Sequence, residues 1–263
     1  VEAMLLNVLQ LASMPSLDFP SESKPKPKQH KKQNKIITHL FAFVLENRKS
    51  TKVAMLITDA PPHGLIGKDQ GDGFPDGDPG TPDVLEVVRV LATNGVILYT
   101  VGCEPSIGSY DYVIDFMNAI ASICNGRYVP LSNVQSLPQI IIGGAREEIQ
   151  LSHLEQTIIA EIRKVKKEHP EWLEAEITAE VEKRLQSRGI SLLQLATNPV
   201  QITPYATCIK MSATLTKARV ALTRMPDPRT NVVNRGRFAE KEHVKIEERL
   251  VTRDHIFKVI RKM

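Results

Sequence analysis

The chain has 263 residues, enough for one or two domains with an ample core, yet only 5% are aromatic and 17 are proline, so much of it is expected outside any core. The formal charge of +4 conceals segregation: residues 51–150 carry 5 basic and 12 acidic side chains, residues 217–263 carry 13 basic and 6 acidic. No apolar run approaches the ~18 residues of a membrane span, and Cys103, Cys124 and Cys208, odd in number and without a Cys-x-x-Cys pair, argue against a zinc or disulfide scaffold and for a reducing, cytoplasmic setting.

The first 15 residues are apolar but lack the basic leading region of a signal peptide. Pro15, Pro20, Pro25 and Pro27, interleaved with lysines from Lys24 to Lys35, then describe a solvated basic linker. A nuclear-localisation or nucleic-acid patch is the sharper alternative. Val53-Ala-Met-Leu-Ile-Thr-Asp59 reads as a buried parallel strand that carries a carboxylate to its own tip. Ligands of open α/β sheets bind outside the carboxyl ends of the strands, which makes Asp59 a metal or ligand candidate; the competing reading is an Asp that organises a local turn. The following loop, with Asp69, Asp72, Asp76 and Asp78 among glycines, lacks the alternate carboxylates and closing Glu of a calcium loop. A solvated turn-rich loop is expected there.

Thr81 then suits an N-cap, Pro82 the first helical position, and Val84, Val87, Val88 and Leu91 an inward stripe. A second strand is predicted over 96–102. A helix with Val113, Phe116, Met117, Ile120 and Cys124 inward follows, and then a third strand over 127–130. That order is βαβαβ, for which a parallel sheet with right-handed crossovers is the natural topology.

The character changes after Gly143-Gly144. Leu151, Leu154, Ile158, Ile162 and Val165 form one helical stripe, and Trp172, Ile177, Val181 and Leu185 a second that stops at Gly189. An αα-hairpin is expected, with a partner-binding helical pair as the alternative. Residues 197–263 read as a basic tail, disordered by default apart from one short helix within 240–263. The tail's charge permits docking on the acidic module, or engagement of phosphates or anionic lipid.

Four segments carry a family resemblance: Ile57-Thr-Asp-Ala-Pro-Pro-His-Gly64, Gly71-Asp-Gly-Phe-Pro75, Leu98-Tyr-Thr-Val-Gly-Cys-Glu-Pro105 and Gly126-Arg-Tyr-Val-Pro-Leu131. In this order they resemble the C-terminal half of a von Willebrand factor type A domain, of the subgroup that accompanies alpha-kinases. The resemblance implies an α/β fold, a partial doubly wound parallel sheet followed by an α-helical extension and a disordered tail. It divides the chain into a helix of the type A domain (1–13), an inserted basic linker (14–51), the half domain (52–150), the helical hairpin (151–190) and the tail (191–263). The insertion is read as a disordered loop or a translated intron, the latter favoured. An incomplete sheet is also expected to expose an apolar face and to be poorly soluble.

Intact relatives hold Mg²⁺ in a metal-ion-dependent adhesion site, built from an Asp-x-Ser-x-Ser loop, a Thr and a third-loop Asp. Asp59 takes the position of that third-loop Asp, and Thr58, Ala60 and His63 take the rim of the ligand face where a partner would bind. The Asp-x-Ser-x-Ser loop and the Thr loop are missing from this sequence, which opens at Val1 and reads as a fragment. One carboxylate makes a poor Mg²⁺ site, so no cofactor is expected for this chain alone. A catalytic role for His63 lacks a Gly-x-Ser-x-Gly elbow, and neither a phosphate loop nor a kinase catalytic sequence is found.

The expectation is therefore a non-catalytic protein–protein interaction module whose protein partner the sequence does not name. One alternative is a regulatory segment of a larger signalling protein such as an alpha-kinase. The other, less favoured, is a nucleic-acid or membrane-surface binder acting through the basic tail.

Overall fold

The computed structural model describes residues 4–7, 51–66, 71–79, 81–197, 202–226 and 244–263. The predicted basic linker 14–51 lies outside them except for its last residue. Strand β1 (Met4–Asn7) pairs in parallel with β2 (Lys52–Thr58). The expected helix over 1–13 is thus replaced, at residues 4–7, by a strand. Helix α1 (Val84–Thr93), strand β3 (Val96–Cys103), helix α2 (Val113–Ile123) and strand β4 (Tyr128–Leu131) follow. The four strands form one parallel sheet in the order β1-β2-β3-β4. The predicted βαβαβ core is present.

β2 and β3 are apolar almost throughout because both faces of the sheet are covered, as parallel sheets require. Val53, Met55, Ile97, Tyr99 and Val101 enter one core, and Ala54, Val96 and Leu98 enter the other with α1 and α2. The predicted stripe of α2, from Val113 to Cys124, is buried at every position. For α1 the outcome differs. Its N-cap is Asp83, not Thr81, because the Asp83 carboxylate accepts from Leu85 N at 2.9 Å and from Leu215 N at 2.8 Å. The cap is thus shared with a partner 132 residues away. Leu85, Val88 and Leu91 are the buried positions, while Val84 and Val87 stay half-exposed.

Helix α3 (Leu137–Glu168) corrects the predicted boundary at 150/151. It runs for 32 residues straight through Gly143-Gly144. A Cβ on Gly143 would lie 2.9 Å from Leu195 Cδ1, and one on Gly144 3.0 Å from Met55 Cε. The glycines let the helix lie close to its neighbours; they do not end it.

Helix α4 (Glu174–Ser187) folds back on α3 as the predicted hairpin. It stops at Gly189, whose φ of +68° is the left-handed conformation glycine adopts cheaply, with Ile190 N donating to Leu185 O at 3.1 Å.

The predicted disordered tail is corrected over its described residues. It holds strand β5 (Ser191–Ala196), helices α5 (Pro204–Met211) and α6 (Leu215–Leu222), strand β6 (Lys245–Leu250) and helix α7 (Arg253–Ile260). β5 and β6 pair antiparallel. With α3, α4 and α7 they enclose a second core that includes Leu151, Ile162, Val181, Leu192, Ile256 and Val259. Helices α5 and α6 instead join the α1–α2 core through Tyr205, Ile209, Leu215 and Leu222. Arg89 holds them there by donating to the carbonyls of Lys210, Ser212 and Ala213. Low hydrophobicity concealed these elements because each buries only a few apolar side chains.

Candidate functional site

The parallel strands end together, and the register pairs Thr58 with Gly102 and Cys103 with Leu131. Asp59 follows Thr58 at this carboxyl edge, is exposed, and has no hydrogen bond among the described residues. Cys103 lies beside it on β3: burial, and then the charge of Asp59, pushes the Cys103 thiol up. Glu104 adds a second carboxylate and accepts from Ser132 Oγ at 3.0 Å. Beneath the edge, the buried Tyr128 hydroxyl has no partner among the described residues, and burial raises it above the usual phenol range.

The three predicted rim residues have other occupations. Thr58 Oγ1 donates to Ala60 O at 3.0 Å and accepts from Ala60 N at 3.2 Å, a closed local turn. Ala60 is 6% exposed and belongs more to the core than to a rim. His63 Nδ1 lies 2.6 Å from Asp72 Oδ1. Asp72, expected in a solvated loop, is itself buried and accepts from Gly64 N at 2.8 Å and Phe74 N at 2.9 Å. It ties the His63-Gly64 segment to the loop at Phe74.

The donor set does not fit Mg²⁺. Octahedral coordination wants several oxygens, Thr58 and Asp72 are already engaged, and among the described residues no three His, Cys, Asp or Glu side chains gather in a metal-holding group. Of the two acids, Asp72 is buried and Asp59 is exposed.

A second polar constellation, which sequence reasoning missed, lies on the other face. Glu147 and Glu148 of α3 are 0% and 1% exposed. Glu147 Oε1 pairs with Arg127, which precedes β4, while Glu147 Oε2 accepts from Leu195 N of β5 at 2.9 Å. Arg127 also donates to Leu195 O at 3.0 Å. His255 of α7 receives Thr252 N on Nδ1 at 3.1 Å, so Nε2 carries the proton that faces Glu147 Oε1 at 3.4 Å. Glu148 Oε1 accepts from Tyr99 Oη at 2.9 Å and Lys258 Nζ at 2.5 Å; its Oε2 has no partner among the described residues.

Burial by itself would raise the Glu147 carboxyl. The His255 hydrogen bond and the charges of Arg127 and Lys258 outweigh it and hold the group below the usual carboxylate range. For Tyr99, burial and then the neighbouring Glu148 and Glu147 push the phenol well above its ordinary value. One signal was legible: Ile140, Gly144, Glu147 and Leu151 share a helical stripe, so an acid sat on a face otherwise apolar or small.

The basic tail pairs with carboxylates of both the acidic module and the helical hairpin. Beyond Lys258 and His255, Arg219 pairs with Asp76 at 2.7 Å, Arg253 with Glu182 at 2.7 Å and Lys262 with Glu155 at 3.3 Å. Among the described residues, no helix is long and apolar enough to cross a membrane, and the cysteines are free, with burial pushing the core thiol of Cys124 up to about 12. Comparison with known protein families, curated proteins and solved structures returns no match.

Proposed function

We propose that the chain is a non-catalytic protein-interaction module of von Willebrand factor type A character, which presents Asp59 at the carboxyl edge of its sheet to a protein partner. The observation that carries this reading is the contrast at that edge: the predicted polar neighbours Thr58 and His63 are engaged internally, whereas Asp59 is exposed and has no hydrogen bond among the described residues. A free carboxylate on a rigid strand end recognises a cationic or hydrogen-bond-donating side chain without a metal. In intact relatives the same acid would help to hold Mg²⁺; in this chain no step runs through an ion.

The test is binding of proteins captured by proximity labelling, remeasured with purified components. Asp59→Ala is expected to abolish binding while the melting curve stays unchanged, and chelator is expected to have no effect. Equal binding by wild type and Asp59→Ala would overturn the reading.

A second reading, a regulatory segment of a larger signalling protein, draws support from α3, which contributes side chains to both the sheet core and the core of the tail assembly. A catalytic domain within the same polypeptide would distinguish it. Binding of nucleic acid or membrane by the basic tail is disfavoured, since several of its cations already pair with carboxylates of the same chain.

A further inference from the structure

At the amino edge of the sheet, where α2 gives way to β4, two cations converge. Lys210 Nζ of α5 donates to Ser122 Oγ at 2.7 Å. Arg261 Nη1, just past α7, donates to Asn125 Oδ1 at 2.8 Å. Ser122 and Asn125 belong to one closing turn, in which Asn125 N donates to Ser122 O at 3.4 Å. Residues so spaced on a helix hold their Cβ atoms about 5–6 Å apart. The turn therefore brings the ammonium and the guanidinium together. Asn125 keeps a side chain where a helix end favours glycine, at a φ of +56°, and that side chain is what Arg261 meets.

Other cations of the tail are neutralised differently. Arg219, Arg253, Lys258 and Lys262 each pair with a carboxylate, whereas the side chains of Lys210 and Arg261 donate only to neutral oxygens among the described residues. The carboxyl end of α2 accounts for part of this, since cations favour the negative pole of a helix. That pole is worth only about half a charge, and two full charges exceed it. Burial, and then the charge of Arg261, hold the Lys210 ammonium below its ordinary value, as expected of a half-buried cation beside another. Most of the N–H donors of the pair are unused, Arg261 is exposed, and Lys210 is half-buried.

The geometry points to a binding site for a phosphate group, held between Lys210 and Arg261 at the end of α2. A phosphate dianion suits the pair better than a carboxylate does. It brings nearly two negative charges to two cations, and its several oxygens accept donors from both sides at once. The site takes one compact anion and is no track for a polyanion, because Lys258 and Lys262 on the same helix end are already paired. It lies at the opposite edge of the sheet from Asp59, and it stands whether or not that acid binds a partner.

Inorganic phosphate titrated into the full chain at constant ionic strength tests the site. Saturable amide shifts are expected at Ser122, Asn125, Lys210 and Arg261, with a higher melting temperature in phosphate than in matched chloride. Lys210→Met combined with Arg261→Met is expected to weaken binding at least about tenfold and to abolish the rise in melting temperature. Arg261→Met alone, at an exposed position, should weaken binding too and guards against a double variant that does not fold. Tighter binding of N-acetyl-phosphoserine amide than of inorganic phosphate would assign the group to a modified partner, and the reverse order to the free ion. No saturable shift in the wild type, shifts that chloride reproduces, or undiminished binding by Arg261→Met would overturn the site.

Discussion

Asp59 follows a strand of the parallel sheet and Glu147 lies on the helix packed against it, and the two carboxylates end in opposite environments. Asp59 ends a strand and faces solvent; Glu147 sits on the inner stripe of α3 and meets Arg127, Leu195 and His255 with no exposure at all. The difference is one of available partners. A strand tip leaves its side chain to solvent or a ligand, whereas a buried acid persists only where charges and donors converge on it. The exposed group is the candidate for function, the buried one for stability.

The largest expected effect breaks the buried side of this contrast. Glu147→Ala leaves Arg127, the buried His255 and the Leu195 amide without their acceptor and should cost about 3–5 kcal/mol, read as a lower urea midpoint. A pH series sharpens the point. The folded Glu147 carboxyl is depressed relative to its unfolded value near 4.5. Its contribution is therefore present above that value and lost as the pH falls through the folded one. Glu147→Gln should show a shallower loss of stability below about pH 4.5, and an unchanged acid limb would contradict the network.

Next in size, Gly144→Val forces a branched side chain against Met55 and Tyr99. About 1–3 kcal/mol of destabilisation is expected in thermal unfolding. Asp83→Ala removes a cap shared by two helices and should cost about 1–2 kcal/mol, with faster amide exchange at the starts of both α1 and α6. Smallest is Asp59→Ala, with a stability change within about 0.5 kcal/mol. A larger drop would mean that the acid is structural.

The βαβαβ order, the full inner stripe of α2 and the stop at Gly189 were all legible, because each depends on near neighbours in the chain: alternation, helical period and a left-handed turn. The unbroken α3, the cap at Asp83 and the elements of the tail were not. Gly143-Gly144 resembles a break until Met55 and Leu195 are seen pressed against it. Asp83 takes the cap by accepting from Leu85 N, and Leu215 supplies a second donor that the local sequence does not show. At the candidate edge, Asp59 stood where the strand pattern placed it, but nothing local revealed that His63 would be held by Asp72.

By itself the sequence determined the parallel core, the direction in which its strands point and the acid at their carboxyl edge, since apolar period and strand ends are properties of contiguous residues. Only the tertiary structure decided which charges are functional candidates and which are mortar. Glu147, Glu148, Arg127, His255 and Lys258 come from three distant stretches of chain, and the hydrogen bonds and ion pairs that let the two acids be buried exist only once those stretches meet.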